Sequence, residues 1–219
     1  MPPRISPPLL CYVTDRRSLG NHSDLIGRIG QAASAGIQWI QIREKDLPTR
    51  ELLALVQQAV ALAEQKSVRD SPTRIIVNDR LDVALAARAA GVHMSELSAP
   101  VAAVNEWRRK RVSTNAFMVG ASCHSVEGAK AAARDGADYL FFGPVFATPS
   151  KAMFGAPQGL KQLKDASHSV EVPVLAIGGI TAENAHECVA AGAAGIAAIR
   201  LFQEAKDLPA LVAGLQAAP

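Results

Sequence analysis

Eight short apolar runs recur along the chain, each followed by a longer, mostly amphipathic stretch, and this alternation restricts the possible folds more than any other feature. The runs are Leu9–Val13, Ile37–Ile42, Ile75–Val77, Val92–Met94, Met118–Ser122, Tyr139–Phe142, Val174–Ile177 and Ile196–Ile199. They are rich in Ile, Val and Leu without polar alternation, which predicts strands buried on both faces, as in a parallel sheet. The clearest helix between them is Arg50–Glu64, with leucine, valine and alanine at three- and four-residue spacing. Eight strand–helix units are the count that closes a (β/α)₈ TIM barrel, a fold that takes roughly 200 to 400 residues. At 219 residues, the chain is expected to be α/β, one TIM-barrel domain over residues 1–219.

A weaker rhythm lies on top of the first. Small residues plus glycine precede strands two, four, six and eight, at Gly36, Gly91, Gly136 and Gly192. Glycine after a helix can take the left-handed conformation that ends it, so the rhythm suggests repeated (βα)₂ modules.

The balance of charge excludes several classes of function. Net charge is only +3, and the basic residues are scattered except at Arg108–Arg111. No aromatic platform accompanies that cluster, so it reads as the solvated end of a helix, with no nucleic-acid partner. No apolar run approaches the ~18 residues that span a bilayer. Prolines in Met1–Pro8 stand where a signal peptide needs an apolar core. A cytoplasmic protein with no membrane partner is expected. Cys11, Cys123 and Cys188, odd in number and far apart, suggest reduced thiols.

Polar residues gather where a barrel places its chemistry, at the carboxyl ends of the strands. Gln41, Arg43 and Lys45 alternate along the end of strand two, and a period of two aims all three into the mouth if the strand persists. Two cations and an amide suit a phosphate or pyrophosphate; pairing of Arg43 with Glu44 or Asp46 is the plainer alternative. Asn78-Asp79 ends strand three. Its carboxylate can hold Mg²⁺ together with substrate phosphates, or either residue can cap a helix starting near Leu81. Gly178-Gly179, after strand seven, permits close backbone approach. A helix beginning at Ala182 would add free N–H groups for phosphate, and the loops after strands seven and eight are the usual barrel phosphate site. Ser122 and His124 end strand five, and His124 is a candidate acid/base. Cys123 faces the other way, so a Cys–His dyad is rejected. His93 is a second candidate. Residues 150–158 read as a long loop after strand six.

These motifs, in this order, resemble the thiamin-phosphate-synthase/TenI family. The similarity runs from Tyr12-Val-Thr-Asp-Arg16 to Gly195-Ile-Ala-Ala-Ile199. Its most specific parts are Gln41-Ile-Arg-Glu-Lys45, Asn78-Asp79 with Asp82-Val-Ala-Leu85, Gly91-Val-His93, Gly143-Pro-Val-Phe146 with Thr148-Pro-Ser-Lys151, and Ile177-Gly-Gly-Ile-Thr181. The resemblance implies that Gln41, Arg43, Lys45, Asn78 and Lys151 hold a pyrimidine pyrophosphate. It implies that Asp79 is a Mg²⁺ ligand, that Thr148 and Ser150 touch a phosphorylated thiazole, and that amides at Gly179, Ile199 and Arg200 bind the thiazole phosphate.

One departure matters. Synthases of the family carry a second metal aspartate after strand four. Here Ser98 stands at that position, Glu96 lies two residues earlier, and the usual glutamine is absent. Arg200 replaces a small residue. The missing carboxylate favours a TenI-type thiazole tautomerase that uses His124 and no metal. The alternative is a Mg²⁺-dependent thiamin phosphate synthase, and a further one is a non-catalytic binder of thiazole phosphate or thiamin phosphate. Glu96 could replace the missing ligand. An exposed apolar helix face could make a homodimer.

Overall fold

A computed structural model of the chain describes residues 8–19, 25–66, 72–111, 117–148 and 156–217. The strands are β1 (Leu9–Val13), β2 (Trp39–Ile42), β3 (Arg74–Asn78), β4 (Gly91–Met94), β5 (Met118–Cys123), β6 (Tyr139–Phe142), β7 (Val174–Ile177) and β8 (Gly195–Ala198). They form a closed barrel in sequence order. Every neighbouring pair is parallel, and β8 returns to β1 through Leu9–Tyr12 against Gly195–Ala198.

The helices alternate with the strands: α1 (Leu25–Ser34), α2 (Thr49–Lys66), α3 (Leu81–Ala86), α4 (Val101–Arg111), α5 (Val126–Arg134), α6 (Gly159–Ser169), α7 (Ala185–Ala190), α8 (Arg200–Gln203) and α9 (Leu208–Ala217). None of the described helices is long and apolar enough to cross a membrane.

Burial on both faces explains the continuous apolar runs. Cys11, Val13, Trp39, Ile76, Met118, Tyr139, Phe141, Leu175 and Ala197 fill the barrel interior. Their strand neighbours Leu10, Tyr12, Ile40, Val77, Val119, Leu140, Phe142 and Ile196 pack outward in the cluster shared with the helices. The interior rings crowd together, with Trp39 and Tyr139 centroids 4.6 Å apart. Small residues opposite them make that possible: a Cβ on Gly120 would fall 2.1 Å from the Tyr139 ring, and one on Gly195 2.0 Å from the Leu9 carbonyl oxygen.

The glycine rhythm is partly displaced. Gly36, Gly136 and Gly192 do take positive φ at helix ends. Gly91 instead opens β4, where its Cβ would lie 2.4 Å from the Met118 carbonyl oxygen. The left-handed turn before β4 is made by Arg88, at φ 55°. The hydrogen bonds identify the equivalence. Arg88 N donates to Leu85 O and Ala89 N to Ala84 O, as Gly136 N donates to Ala133 O and Ala137 N to Ala132 O.

Other boundaries move for local reasons. β2 starts at Trp39 because Ile37 N still closes α1 by donating to Ala32 O. β8 stops at Ala198, and Ile199 turns to become the residue that enters α8. The basic cluster ends α4, where Arg108 pairs with Asp138 at 2.5 Å and Lys110 with Glu106 at 2.6 Å. All three cysteines are free and buried.

Arg88 is exposed and holds a conformation that costs an L-residue about 1–2 kcal/mol, against the ~0.5–1 kcal/mol of chain entropy that glycine loses on folding. Arg88→Gly should therefore raise the unfolding free energy by roughly 0.5–1 kcal/mol, while Gly136→Ala lowers it. Urea unfolding at unchanged slope checks both; a less stable Arg88→Gly protein would refute the assignment of the turn.

Candidate functional site

The carboxyl ends of the strands bring Gln41, Arg43 and Lys45 (β2), Asn78 and Asp79 (β3), Ser122 and His124 (β5), Thr148 (after β6), Gly178 and Gly179 (β7) and Ile199 and Arg200 (β8) to one rim. Ser150 and Lys151 lie outside the described residues.

At β2 the strand ends at Ile42, before Arg43 and Lys45. The plainer pairing for Arg43 does not occur. Glu44 turns inward and is buried, accepting from the Thr14 hydroxyl at 2.6 Å and from Arg16 Nη1 at 3.2 Å. Asp46 pairs with Arg16 at 2.5 Å and with Arg17 at 2.7 Å. Thr14 in turn accepts from the Arg43 backbone N–H at 3.0 Å. The acids around Arg43 are thus spent on the β1 loop. Among the described residues neither the half-buried Arg43 nor the exposed Lys45 forms an ion pair.

Gln41 is buried and begins a polar relay. Its Nε2 donates to Asn78 Oδ1 at 3.0 Å, and Asn78 Nδ2 donates to Asp79 Oδ2 at 2.9 Å. Gln41 Oε1 is buried without a hydrogen-bond partner among the described residues.

Neither Asn78 nor Asp79 caps α3; the capping position belongs to Arg80, whose side chain binds Asp82 instead. Asp79 is left-handed, at φ 59°, and its N–H donates to His93 O at 2.9 Å. This turns its carboxylate toward the loop after β4. There Oδ1 accepts from Ser95 N at 2.9 Å and from the Ser98 hydroxyl, while the Ser95 hydroxyl lies 3.4 Å from Oδ2. Burial raises the Asp79 pKa, but donation by Ser98 and Ser95 and the charge of Lys45 outweigh it and hold it below its ordinary value.

The sequence pointed to Asp79 as a Mg²⁺ ligand with Glu96 as a possible helper, and the donor set does not fit that use. Both Asp79 oxygens already accept hydrogen bonds. Glu96 points elsewhere, accepting from the His124 N–H at 3.2 Å. Ser95, missed in the sequence reading, completes the cradle, and the Ser-x-x-Ser spacing with Ser98 is the signal that could have found it.

The two histidines separate in role. His93 is buried inside the barrel, 4.2 Å from Phe141 centroid to centroid. Its Nδ1 lies 3.1 Å from Tyr139 Oη and its Nε2 2.9 Å from Ser122 Oγ. Burial pushes its pKa down to about 3, against a small opposing pull from Asp79, so it is a neutral strut that orients Ser122. His124 is half-buried at the rim, and its Nδ1 faces the Gly143 carbonyl. A carbonyl only accepts, so Nδ1 carries a proton. Cys123 faces outward into the cluster shared with the helices.

Across the rim, Gly178 and Gly179 have φ of 95° and 69°. Side chains there would strike the β6 loop, with a Gly178 Cβ 2.5 Å from Pro144 Cβ and a Gly179 Cβ 2.7 Å from Ala147 O. Their first service is therefore to let two rim loops touch. Helix α7 begins at Ala185, not Ala182, because Thr181 and Asn184 form a turn in which Thr181 N donates to Asn184 Oδ1 at 2.8 Å. The expected helix start next to the glycines is thereby displaced. Ile199 is half-buried at the edge of the interior cluster, and Arg200 is exposed.

Residues 10–202 match the family model described as thiamine monophosphate synthase. A thiamine-phosphate synthase from Roseiflexus castenholzii is 41% identical over 91% of this chain and 82% of that protein. One from Methanoculleus marisnigri is 40% identical over 94% of this chain and 92% of that protein. Among solved structures, thiamine phosphate pyrophosphorylase from Pyrococcus furiosus superposes with a TM-score of 0.81 at 34% identity, covering 95% of this chain and 93% of that one.

The buried His93 makes a pH prediction. Its folded pKa, about 3, lies below the ordinary unfolded value of about 6.5. Its contribution to stability is complete above about pH 6.5 and is lost as pH falls toward about 3. From about pH 7.5 to 5 this one group should remove on the order of 2 kcal/mol, seen as a falling urea midpoint. His93→Gln should flatten that part of the curve; an unchanged slope would show that His93 is not the cause.

Proposed function

Because the chain belongs to the thiamine monophosphate synthase family, we propose that it couples a pyrimidine pyrophosphate to a thiazole phosphate, releasing pyrophosphate and forming thiamin phosphate. The sequence placed a thiazole tautomerase first and this coupling second. The relatives are named for the coupling reaction, and that reverses the order.

In the coupling, the lone pair of the thiazole nitrogen forms the new N–C bond while the C–O bond to pyrophosphate breaks, and pyrophosphate leaves with that electron pair. The ring nitrogen carries no proton, so the step needs no general base. It needs positive charge on the leaving group and alignment of the two rings.

The observation that carries this reading is that Arg43 and Lys45, next to the Gln41–Asn78–Asp79 relay, form no ion pair among the described residues. Arg43 and Lys45 receive the departing pyrophosphate, with Lys151 as a third cation. Gln41 Oε1 offers a buried acceptor to a ligand N–H. Asn78 and Ser122 orient the pyrimidine, Thr148 and Ser150 meet the thiazole, and backbone N–H groups at Gly178, Gly179, Ile199 and Arg200 hold its phosphate. No step is assigned to Mg²⁺, given the hydrogen-bonded state of Asp79.

Two observations favour the tautomerase as a second reading: Ser98 occupies the side of Asp79 where a second carboxylate would make a metal centre, and His124 stands at the rim with Nδ1 on the Gly143 carbonyl. A non-catalytic binder would take up the thiazole phosphate with no turnover.

Incubation with both substrates, with and without added Mg²⁺, should yield thiamin phosphate, detected after oxidation to its fluorescent derivative. Arg43→Ala should lower kcat/KM by about 10²-fold, the usual loss when one group stabilising developing charge is removed. No product under either condition, with conversion of the thiazole tautomer abolished in His124→Ala, would replace the coupling by the tautomerase.

A further inference from the structure

We propose that this site grips the pyrophosphate directly through Arg43 and Lys45, without a divalent cation bridging it to Asp79, and that the lack of a second carboxylate at position 98 sets this metal independence. The inference rests on the coupling reading and goes beyond it.

It follows from how the charges at the rim are committed. Glu44 and Asp46 belong to Arg16 and Arg17. Asp82 belongs to Arg80. Glu96 is engaged by the His124 N–H. Asp79 remains as an acid that Lys45 reaches, close enough for its charge to act on the carboxyl. A Mg²⁺ ion there would meet two cations and one carboxylate, and it strongly favours an octahedron of oxygens at about 2.0–2.1 Å. To coordinate, Mg²⁺ would have to share Asp79 with the three donors already on it. Oδ1 holds the Ser95 N–H at 2.9 Å and the Ser98 hydroxyl, and Oδ2 holds Asn78 Nδ2 at 2.9 Å. Ser98 is itself fixed, accepting from Ser95 N at 3.1 Å, with its Oγ 2.6 Å from that of Ser95. These donors, with the charge of Lys45, do for the carboxylate what a cation would do, while neither Arg43 nor Lys45 forms an ion pair among the described residues. An aspartate in place of Ser98 would put a second negative charge against Asp79. It would remove a donor and make a divalent ion the only good partner for the pair.

The test is calorimetric binding of inorganic pyrophosphate to the full chain, in chelator and in excess Mg²⁺, for the natural protein and for Ser98→Asp. Direct Mn²⁺ binding is followed in parallel by electron paramagnetic resonance. The natural protein should bind pyrophosphate with affinities within about threefold in the two conditions and should show no tight Mn²⁺ site. Ser98→Asp should lose tenfold or more in chelator, recover with Mg²⁺, and gain a Mn²⁺ signal; Ser98→Ala, which adds no charge, should stay metal-independent. Tightening of the natural protein by tenfold or more with Mg²⁺, or no pyrophosphate binding in either condition, overturns the inference. The coupling is judged separately. Thiamin phosphate formed only with Mg²⁺ removes this inference and leaves the coupling standing. Metal-independent pyrophosphate binding with no product under any condition removes the coupling and leaves the anion grip.

Discussion

The pairing of β8 back onto β1 is the constraint on which everything else depends. Leu9–Tyr12 runs beside Gly195–Ala198, and that contact turns a row of parallel strands into a closed ring with no open edge. It is sterically demanding, since only a glycine at position 195 lets the Leu9 carbonyl come so near. Closure has a functional consequence as well as a structural one. Once all strands point the same way around one axis, the residues that follow each of them must surround a single opening.

Beneath that opening the interior changes character in layers. Trp39, Met118, Tyr139, Phe141 and Leu175 make an apolar plug. Above it come Gln41, Asn78, His93 and Ser122, polar side chains whose hydrogen bonds run largely to one another. Such groups are costly to bury unless paired, and Gln41 Oε1 is the atom of this layer left without a partner among the described residues. His93 illustrates the rule: burial keeps its ring neutral, and a neutral ring can accept from one hydroxyl while donating to another. At the rim itself, charges fall into two sets. Arg16, Arg17, Glu44, Asp46, Arg80 and Asp82 neutralise each other and hold the loops. Arg43 and Lys45 are left over, and leftover charge at the mouth of a barrel is what an anionic substrate can use.

Much of the candidate site's placement was legible because strand ends are legible. Residues such as Arg43, Asp79 and His124 stand out as polar groups directly after apolar runs, and barrel geometry sends them to one rim. Partners were harder to read. Glu44 sits next to Arg43 in sequence yet bonds to Thr14 and Arg16, from another strand. Asp79 looked equally suited to capping the next helix, but its left-handed backbone swings it to Ser95 and Ser98. Gly178-Gly179 looked like a phosphate loop, and their absent side chains turn out to be required first by the neighbouring β6 loop. The left-handed slot filled by Arg88 had no glycine to mark it.

By itself the sequence determined the fold class, the order of the strands and the rim to which each polar residue belongs. These follow from period, burial and chain direction, which are local properties of a few residues at a time. Only the tertiary structure decided which charges are paired among the described residues, which histidine is a buried strut and which stands at the rim, and that Asp79 accepts from hydroxyl and amide donors. Those outcomes depend on distances of a few ångströms between residues far apart in the chain, and hydrogen bonds and ion pairs are too short-ranged and directional to be inferred from spacing alone.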